Sequence, residues 1–366
     1  MKIGILGGGQ LARMIALAAY PLNIQTICID PAAEVCANDV TQVHQLEYSD
    51  HQAIVNTLKN VDVVTIETEN ILLSCATAVA KEKLFYPSLK SLEVTQDRLP
   101  EKNFLQSLNI PVASFIEPHC EEDIIQFINS NRSTAILKTR RFGYDGKGQV
   151  RINQSTDIAP AWQSLKDQAL ILEQFIPFKQ EFSLIAVRSR DGKCRYYPLV
   201  HNVHQHGILR SSEITDVYPE LQQQAQLYAE KILNAFEYVG VLTIEMFYDG
   251  EQLIVNELAP RVHNSGHWTI EGAVTSQFEN HVRAICGLPL GDTSSTGYIY
   301  MWNGIGEMPE LDSCLSVPGV HYHSYNKTAR ANRKLGHVTL IADHLEHFNS
   351  RKNILLQNIN LSLNQS

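Results

Sequence analysis

The run V-L-T-I-E-M-F-Y-D-G-E-Q-L-I-V-N-E-L, Val241–Leu258, decides how the rest of the chain is read. Two apolar segments flank Asp249-Gly250, a turn dipeptide, so the run predicts an antiparallel hairpin. Each arm carries one carboxylate, Glu245 on the first and Glu257 on the second. Side chains alternate across a strand, so loop length decides whether the two acids share a face. A three-residue loop at 249–251 sets Glu245 opposite Val255, with Glu257 its diagonal neighbour on the same face. A five-residue loop sets the acids directly opposite; a two-residue loop would separate them onto opposite faces. Asn256 points to the other face if the strand is regular. Neighbouring carboxylates on a half-buried sheet repel unless a cation neutralises them. Magnesium characteristically takes one or two carboxylates together with substrate phosphates. The same pattern also describes solvent-facing acids on an amphipathic hairpin, and the hairpin alone leaves both readings open.

Upstream, Ile136-Leu137-Lys138 places a lysine at the end of an apolar strand, followed by T-R-R-F-G-Y-D-G-K-G-Q, Thr139–Gln149. A glycine-rich loop with cations can close over polyphosphate through backbone N–H groups and ammoniums. The spacing is not that of a Walker A loop. An exposed basic turn is the plainer alternative, although Asp145 sits oddly in either. Glu173-Gln174-Phe175-Ile176 follows a strand and reads as an interdomain hinge, where backbone groups could meet an adenine edge beside an apolar wall. Glu181 could accept from ribose hydroxyls. Downstream, Arg261–His267 is dense in polar donors. His263 and His267 lie four apart, but Gly266 interrupts and H-E-x-x-H is absent, so an anion-binding loop is expected rather than a zinc helix. Tyr325–Lys334 carries Lys327, Arg330, Arg333 and Lys334, which reads as an anion site or a solvated charge run.

At the N-terminus, Gly7-Gly8-Gly9-Gln10-Leu11-Ala12 resembles a dinucleotide fingerprint, with Asp30 ending the second strand where a ribose-binding acid would stand. This supports a competing reading as an NAD-dependent dehydrogenase. The plain alternative is a tight strand-to-helix turn. The glycines and Arg13 interrupt the apolar run, so strand, turn and helix fit better than a cleaved leader.

The 366 residues suffice for two or three domains. Alternating strands and helices over the first hundred residues predict a parallel sheet. The expected division is a Rossmann-like domain over 1–100, a second domain over 101–290 with a subdomain at about 111–172, and a small β-rich domain over 291–366. The polar last dozen residues are expected to fray. The net charge of -9 argues against nucleic-acid binding, and no apolar run is long enough for a membrane span. Seven scattered cysteines without a C-x-x-C pair read as reduced thiols of a cytoplasmic protein.

Taken in order, Gly7–Met14, Gln96-Asp97-Arg98-Leu99, Ile136–Gln149, Glu173–Phe178, Asn256–Thr269 and Lys327…Arg333-Lys334-Leu335-Gly336-His337 resemble the ATP-grasp superfamily. Within it, the chain resembles the 5-(carboxyamino)imidazole ribonucleotide synthases (the ATPase subunits of phosphoribosylaminoimidazole carboxylase). The resemblance implies α/β and α+β architecture and an ATP-dependent ligase of purine biosynthesis. Such a ligase carboxylates 5-aminoimidazole ribonucleotide with bicarbonate through carboxyphosphate. It implies that Arg98, Lys138, Gly143, Tyr144, Asp145, Gly146, Lys147, Gly148, Gln149, Glu173, Gln174, Phe175, Ile176, Glu181, His204, Asn256 and Glu257 hold ATP. Glu245 and Glu257 would bind magnesium, with manganese as an alternative. Gln10, Glu67, Asn70, His263, Asn264, Lys327 and Arg333 would serve the nucleotide substrate. Lys138, Asp145, Arg261, Lys327 and Arg333 would serve the chemistry, with Asp145 orienting the amine or taking its proton. A homodimer is implied. Ala12 and Asn332 stand where the family usually has glycine; asparagine tolerates positive φ, so the fold is expected to survive. Other ATP-grasp carboxylate–amine ligases and a catalytically dead scaffold are the remaining alternatives.

Overall fold

A computed structural model describes residues 1–131, 133–143, 147–215 and 218–363. The first hundred residues form a parallel sheet in the order Gln42–Gln45, Gln25–Asp30, Lys2–Leu6, Val63–Ile66, Leu84–Phe85. Its central strands are apolar on both sides because both faces are covered. Ile3, Ile5 and Val63 cluster with Leu11, Ala12 and Ile15 of the helix Gln10–Ala19. Leu6, Val64 and Ile66 cluster with Ile54 and Cys75 of the helices His51–Thr57 and Leu73–Ala80.

A four-stranded antiparallel sheet follows, ordered Phe115–Ile116, Leu170–Gln174, Ala135–Thr139, Gln149–Ile152. Leu137 and Leu172 pack with Ile124, Phe127 and Ala161 of the helices Glu121–Asn131 and Ile158–Leu165.

The largest sheet is antiparallel. Among the described residues its order is Leu253–Ala259, Gly240–Tyr248, Gln180–Arg188, Val200–Gln205, Ile208–Ile214, Tyr298–Ile305, Lys334–Ala342, Val320–Ser324, with Cys194–Tyr196 paired beside Gln180–Arg188. Alternation along Gln180–Arg188 sends Leu184 and Ala186 to the helix Pro219–Ala235, and Ile185 and Val187 to the helix Gln277–Cys286. The second of these helices begins after Ser276, whose hydroxyl caps it by accepting from Glu279 N–H.

The C-terminal strands therefore extend the sheet that holds the hairpin. The expectation of a frayed end is corrected. Leu345–Leu363 is a helix whose Phe348, Leu355 and Ile359 are buried. Their helical spacing supplies an apolar stripe that the polar composition conceals. Asn332 takes φ 62°, so it fills the usual glycine position without breaking the loop. All seven cysteines are free thiols. No helix among the described residues is long and apolar enough to cross a membrane.

Candidate active site

The hairpin forms, with a different loop from either that would unite its acids. Tyr248 pairs with Leu253, so four residues, 249–252, make the turn, and the Asp249 carboxylate accepts from Glu251 and Gln252 N–H at 2.8 and 2.9 Å. An even loop would set Glu245 against Asn256 and send Glu257 to the far face. Instead the register shifts: Met246 pairs with Val255 and Glu245 with Glu257. Asn256 is the extra residue of a β-bulge, which restores both acids to one face.

Each acid has a cationic or donor partner. Glu257 Oε2 accepts from Arg98 Nη1 at 3.0 Å. Glu245 Oε1 lies 3.0 Å from His263 Nε2. His263 Nδ1 accepts from Ser265 N–H at 3.2 Å, so the ring proton sits on Nε2, facing Glu245. Burial alone would raise the Glu245 pKa, but the His263 hydrogen bond together with the charges of His263, His204 and Lys334 holds the carboxyl well below its usual range. His267 turns away into the core, its Nδ1 2.9 Å from Tyr325 Oη. Among the described residues no three metal-ligating side chains converge. Two carboxylates on one face are the donor set of a magnesium ion that completes its shell with phosphates and water, not of a closed protein cage.

Two cavities meet at this pair, sharing Arg98, His204, Gly207, Glu245 and Glu257. The first, about 310 Å³, is lined by Lys138, Lys147, Gln149, Glu173, Gln174, Phe175, Ile176, Glu181 and Asn256. It brings together most residues expected to hold ATP. Lys138 Nζ lies 3.0 Å from Glu173 Oε2, and Lys102 Nζ 3.6 Å from the same oxygen. Burial would raise the Glu173 pKa; Lys102 and Lys138 overcome it and bring it to about 2. Glu181 Oε2 lies 2.6 Å from His204 Nδ1; burial would lower the histidine's pKa, but Glu181 and Glu245 together raise it. The hinge expectation needs one correction. The amides of Gln174 and Phe175 donate to the carbonyls of Ser114 and Thr134 at 2.8 and 2.9 Å, so in this arrangement these two amides do not face a base edge. The Arg151 guanidinium covers the Phe175 ring at 3.7 Å. Gly143 lies on the second cavity; Gly148, at φ 69°, lines neither. Tyr144, Asp145 and Gly146 lie outside the described residues.

The second cavity, about 170 Å³, is lined by Glu69, Asn70, Arg261, His263, Asn264 and Lys334 among others. The Arg261 guanidinium grips Glu69 with both Nε and Nη2, the latter at 3.0 Å. Asn264 is buried with neither end of its amide hydrogen-bonded, yet it lines this cavity and a neighbouring one beside Gln10 and Glu67. Lys327 Nζ reaches Gln10 Oε1 at 2.6 Å, uniting residues from opposite ends of the chain. Arg333 lines none of these three cavities; its Nη1 donates to Thr328 O at 3.1 Å, and Lys334 takes the cavity wall.

Sequence reasoning passed over several of these groups. Gln96 and Asp97 hold the start of the glycine-rich loop, Gln96 through Arg141 and Asp97 through a two-pronged contact with Arg140, while Arg98 reaches Gly143 O. Lys102 carried no local signal, because Glu101-Lys102 reads as an ordinary surface charge pair. Lys334 stands in the cationic run and in a stretch that carries the resemblance, but neither gives it a role of its own.

The N-terminal turn is already satisfied. Gly8 N–H donates to Asp30 Oδ2 at 2.8 Å, and Gly9 N–H to Glu67 Oε1 at 3.0 Å. A side chain on Gly9 would collide with Glu67. Burial raises the Glu67 pKa despite these amides. The donors and the acid that the dehydrogenase reading needs are bonded to each other.

Comparison with known proteins agrees with this geometry. Residues 1–96 match the ribonucleotide synthetase preATP-grasp domain, 103–278 the ATP-grasp domain, and 300–351 the phosphoribosylaminoimidazole carboxylase C-terminal domain. The N5-carboxyaminoimidazole ribonucleotide synthase of Pseudomonas aeruginosa is 43% identical over 93% of this chain and 94% of its own. The crystal structure of the Thermus thermophilus synthetase superposes with a TM-score of 0.93 at 44% identity, covering 98% of each chain. The Aspergillus clavatus synthase in complex with ADP and 5-aminoimidazole ribonucleotide superposes at 0.87 with 31% identity, over 97% and 98% of the two chains. The chain belongs to the ATP-grasp superfamily and, within it, to the N5-carboxyaminoimidazole ribonucleotide synthases.

Proposed function

We propose that this protein carboxylates the exocyclic amine of 5-aminoimidazole ribonucleotide, using ATP and bicarbonate and releasing ADP and phosphate. The observation that carries the reading is the meeting of two cavities at Glu245 and Glu257. One has an apolar wall and buried lysines suited to a nucleoside triphosphate. The other has Arg261, His263 and Asn264, suited to an anion and an acceptor nucleotide.

Bicarbonate is a poor electrophile, so it must be activated before a weakly nucleophilic amine can attack. Its oxygen attacks the γ-phosphorus, the bond to the β–γ bridging oxygen breaks, and carboxyphosphate and ADP result. Lys138 and Arg98 lie on the cavity that would hold the triphosphate and oppose the negative charge that builds there. Glu245 and Glu257 would hold magnesium, or manganese, with Asn256 beside them at the phosphates; the ion when bound supplies charge neutralisation there. His263, with its proton on Nε2, donates a hydrogen bond and does not accept a proton there. Asp145 is our candidate for the group that orients the amine or takes its proton as the carbon–nitrogen bond forms. Lys327 and Arg333 would grip the ribose phosphate, while Gln10, Glu67 and Asn70 would contribute to the rest of the substrate pocket. We read the protein as a cytoplasmic homodimer, on family resemblance.

The test is ADP release in the presence of ATP, magnesium and bicarbonate, with and without 5-aminoimidazole ribonucleotide. Strong stimulation with stoichiometric loss of that nucleotide is expected. Slow ATP turnover without stimulation would keep the fold and discard the acceptor.

A further inference from the structure

Lys102 is only 1% exposed, yet it lies one helical turn from Arg98 in the helix Arg98–Ser107. A buried ammonium is retained only where acceptors replace its water. Its acceptors here are informative. Nζ donates to the carbonyl of Asn256 at 2.7 Å and approaches that of Val255 at 3.5 Å. A bulge leaves the groups of its extra residue outside the regular ladder, and Asn256 is that residue. The strand Leu253–Ala259 is also the edge of its sheet, so its outward groups have no neighbouring strand. The chain around Lys102 supplies the missing partners. Leu258 N–H donates to Glu101 Oε1 at 2.8 Å, and Val255 N–H to Pro111 O at 2.8 Å. The third direction of the Lys102 ammonium is toward Glu173, which also binds Lys138.

We propose that Lys102 is a positioning residue: it fixes the Asn256 bulge, so that Glu257 stands opposite Glu245, and ties that register through Glu173 to the lysine facing the triphosphate. A regular strand would turn Glu257 to the far face, so this ammonium acts on metal binding through Glu257 without touching the metal. The proposal rests on the reading of Glu245 and Glu257 as the metal pair.

The experiment measures Mn2+ affinity of the ADP-bound protein by electron paramagnetic resonance. It uses wild type, Glu257→Gln, Lys102→Met and the double variant. Loss of a group that orients a metal ligand weakens affinity by about 10- to 100-fold. Lys102→Met is expected to fall in that range, and to raise the KM for magnesium–ATP while the KM for the amine nucleotide stays within about twofold. Groups acting through one another are non-additive, so the double variant is expected to bind about as weakly as Glu257→Gln alone. Lys102→Gln keeps a donor for the Asn256 carbonyl and is expected to recover part of the loss; it also serves if the methionine variant does not fold. Wild-type affinity in both Lys102 variants, or losses that multiply in the double variant, would overturn the positioning role while leaving the metal pair intact. Wild-type affinity in Glu257→Gln would overturn the metal pair itself.

Discussion

In the N-terminal turn, Gly8 and Gly9 offer their N–H groups to Asp30 and Glu67, side chains at the ends of the two strands that flank Lys2–Leu6. In the hairpin, Glu245 and Glu257 stand on the walls of two cavities, and their partners His263 and Arg98 stand on those walls too. Both regions present groups that bind phosphate or cations. In the turn those groups complete the fold. In the hairpin they face space that a ligand can enter, and their partners are donors that can turn to that ligand. A glycine turn thus indicates a dinucleotide site only when its amides are left facing outward.

The sharpest way to break this comparison is Glu245→Gln. If the hairpin is the catalytic half, removing this charge costs roughly 10²- to 10³-fold in kcat for ADP release, the scale of losing one preorganised electrostatic contact. The unfolding temperature should also fall, since His263 and its neighbours hold this mostly buried carboxyl below its usual range, so kcat is compared at a temperature where both proteins are folded. A variant with normal kcat and a raised KM only for the amine nucleotide would move Glu245 from the metal to the acceptor side.

Behind the hairpin, Glu173 tests how its surroundings are held. Its folded pKa of about 2 lies below the usual 4.5, because Lys102 and Lys138 overcome the effect of burial. A depressed acid stabilises the fold above its unfolded pKa, and that contribution disappears as pH falls through the folded value. Glu173→Gln should therefore be less stable than wild type near pH 7, by on the order of 3 kcal/mol. The gap should narrow steadily from about pH 4.5 toward pH 2. Denaturant titrations of both proteins across that range check it; a gap independent of pH would mean the lysines do not act on this carboxylate.

How much of this was legible follows from the range of the interactions. The parallel sheet was legible because Ile3–Leu6 and Val63–Ile66 are apolar runs beside helical periodicity, all local information. Glu245 and Glu257 were legible as a pair because their strands are adjacent in sequence. Their register was not, because the loop has even length and the bulge that corrects it is held by Lys102 and Glu101, more than 150 positions away. The meeting of Lys327 with Gln10, 317 positions apart, came from family likeness, not from any local pattern. The terminal helix was missed for a different reason: three buried residues at helical spacing are a weak stripe in a polar segment.

The smallest expected effect lies in the turn, and it sharpens the comparison from the other side. Asp30 accepts from Gly8 N–H and from Ala32 N–H, both at 2.8 Å. Asp30→Ala would leave the part-buried Gly8 amide without its acceptor, which costs about 1–3 kcal/mol. Its effect on ADP release should be under about twofold, because a loss of this kind acts on folding rather than on a group that faces the reacting atoms. Were Asp30 a ribose ligand, the same change would raise a nucleotide KM and leave stability nearly untouched. Denaturation midpoint and KM therefore move in opposite patterns under the two accounts. A raised KM at unchanged stability would return the N-terminal turn to the list of binding sites, and the contrast with the hairpin would collapse.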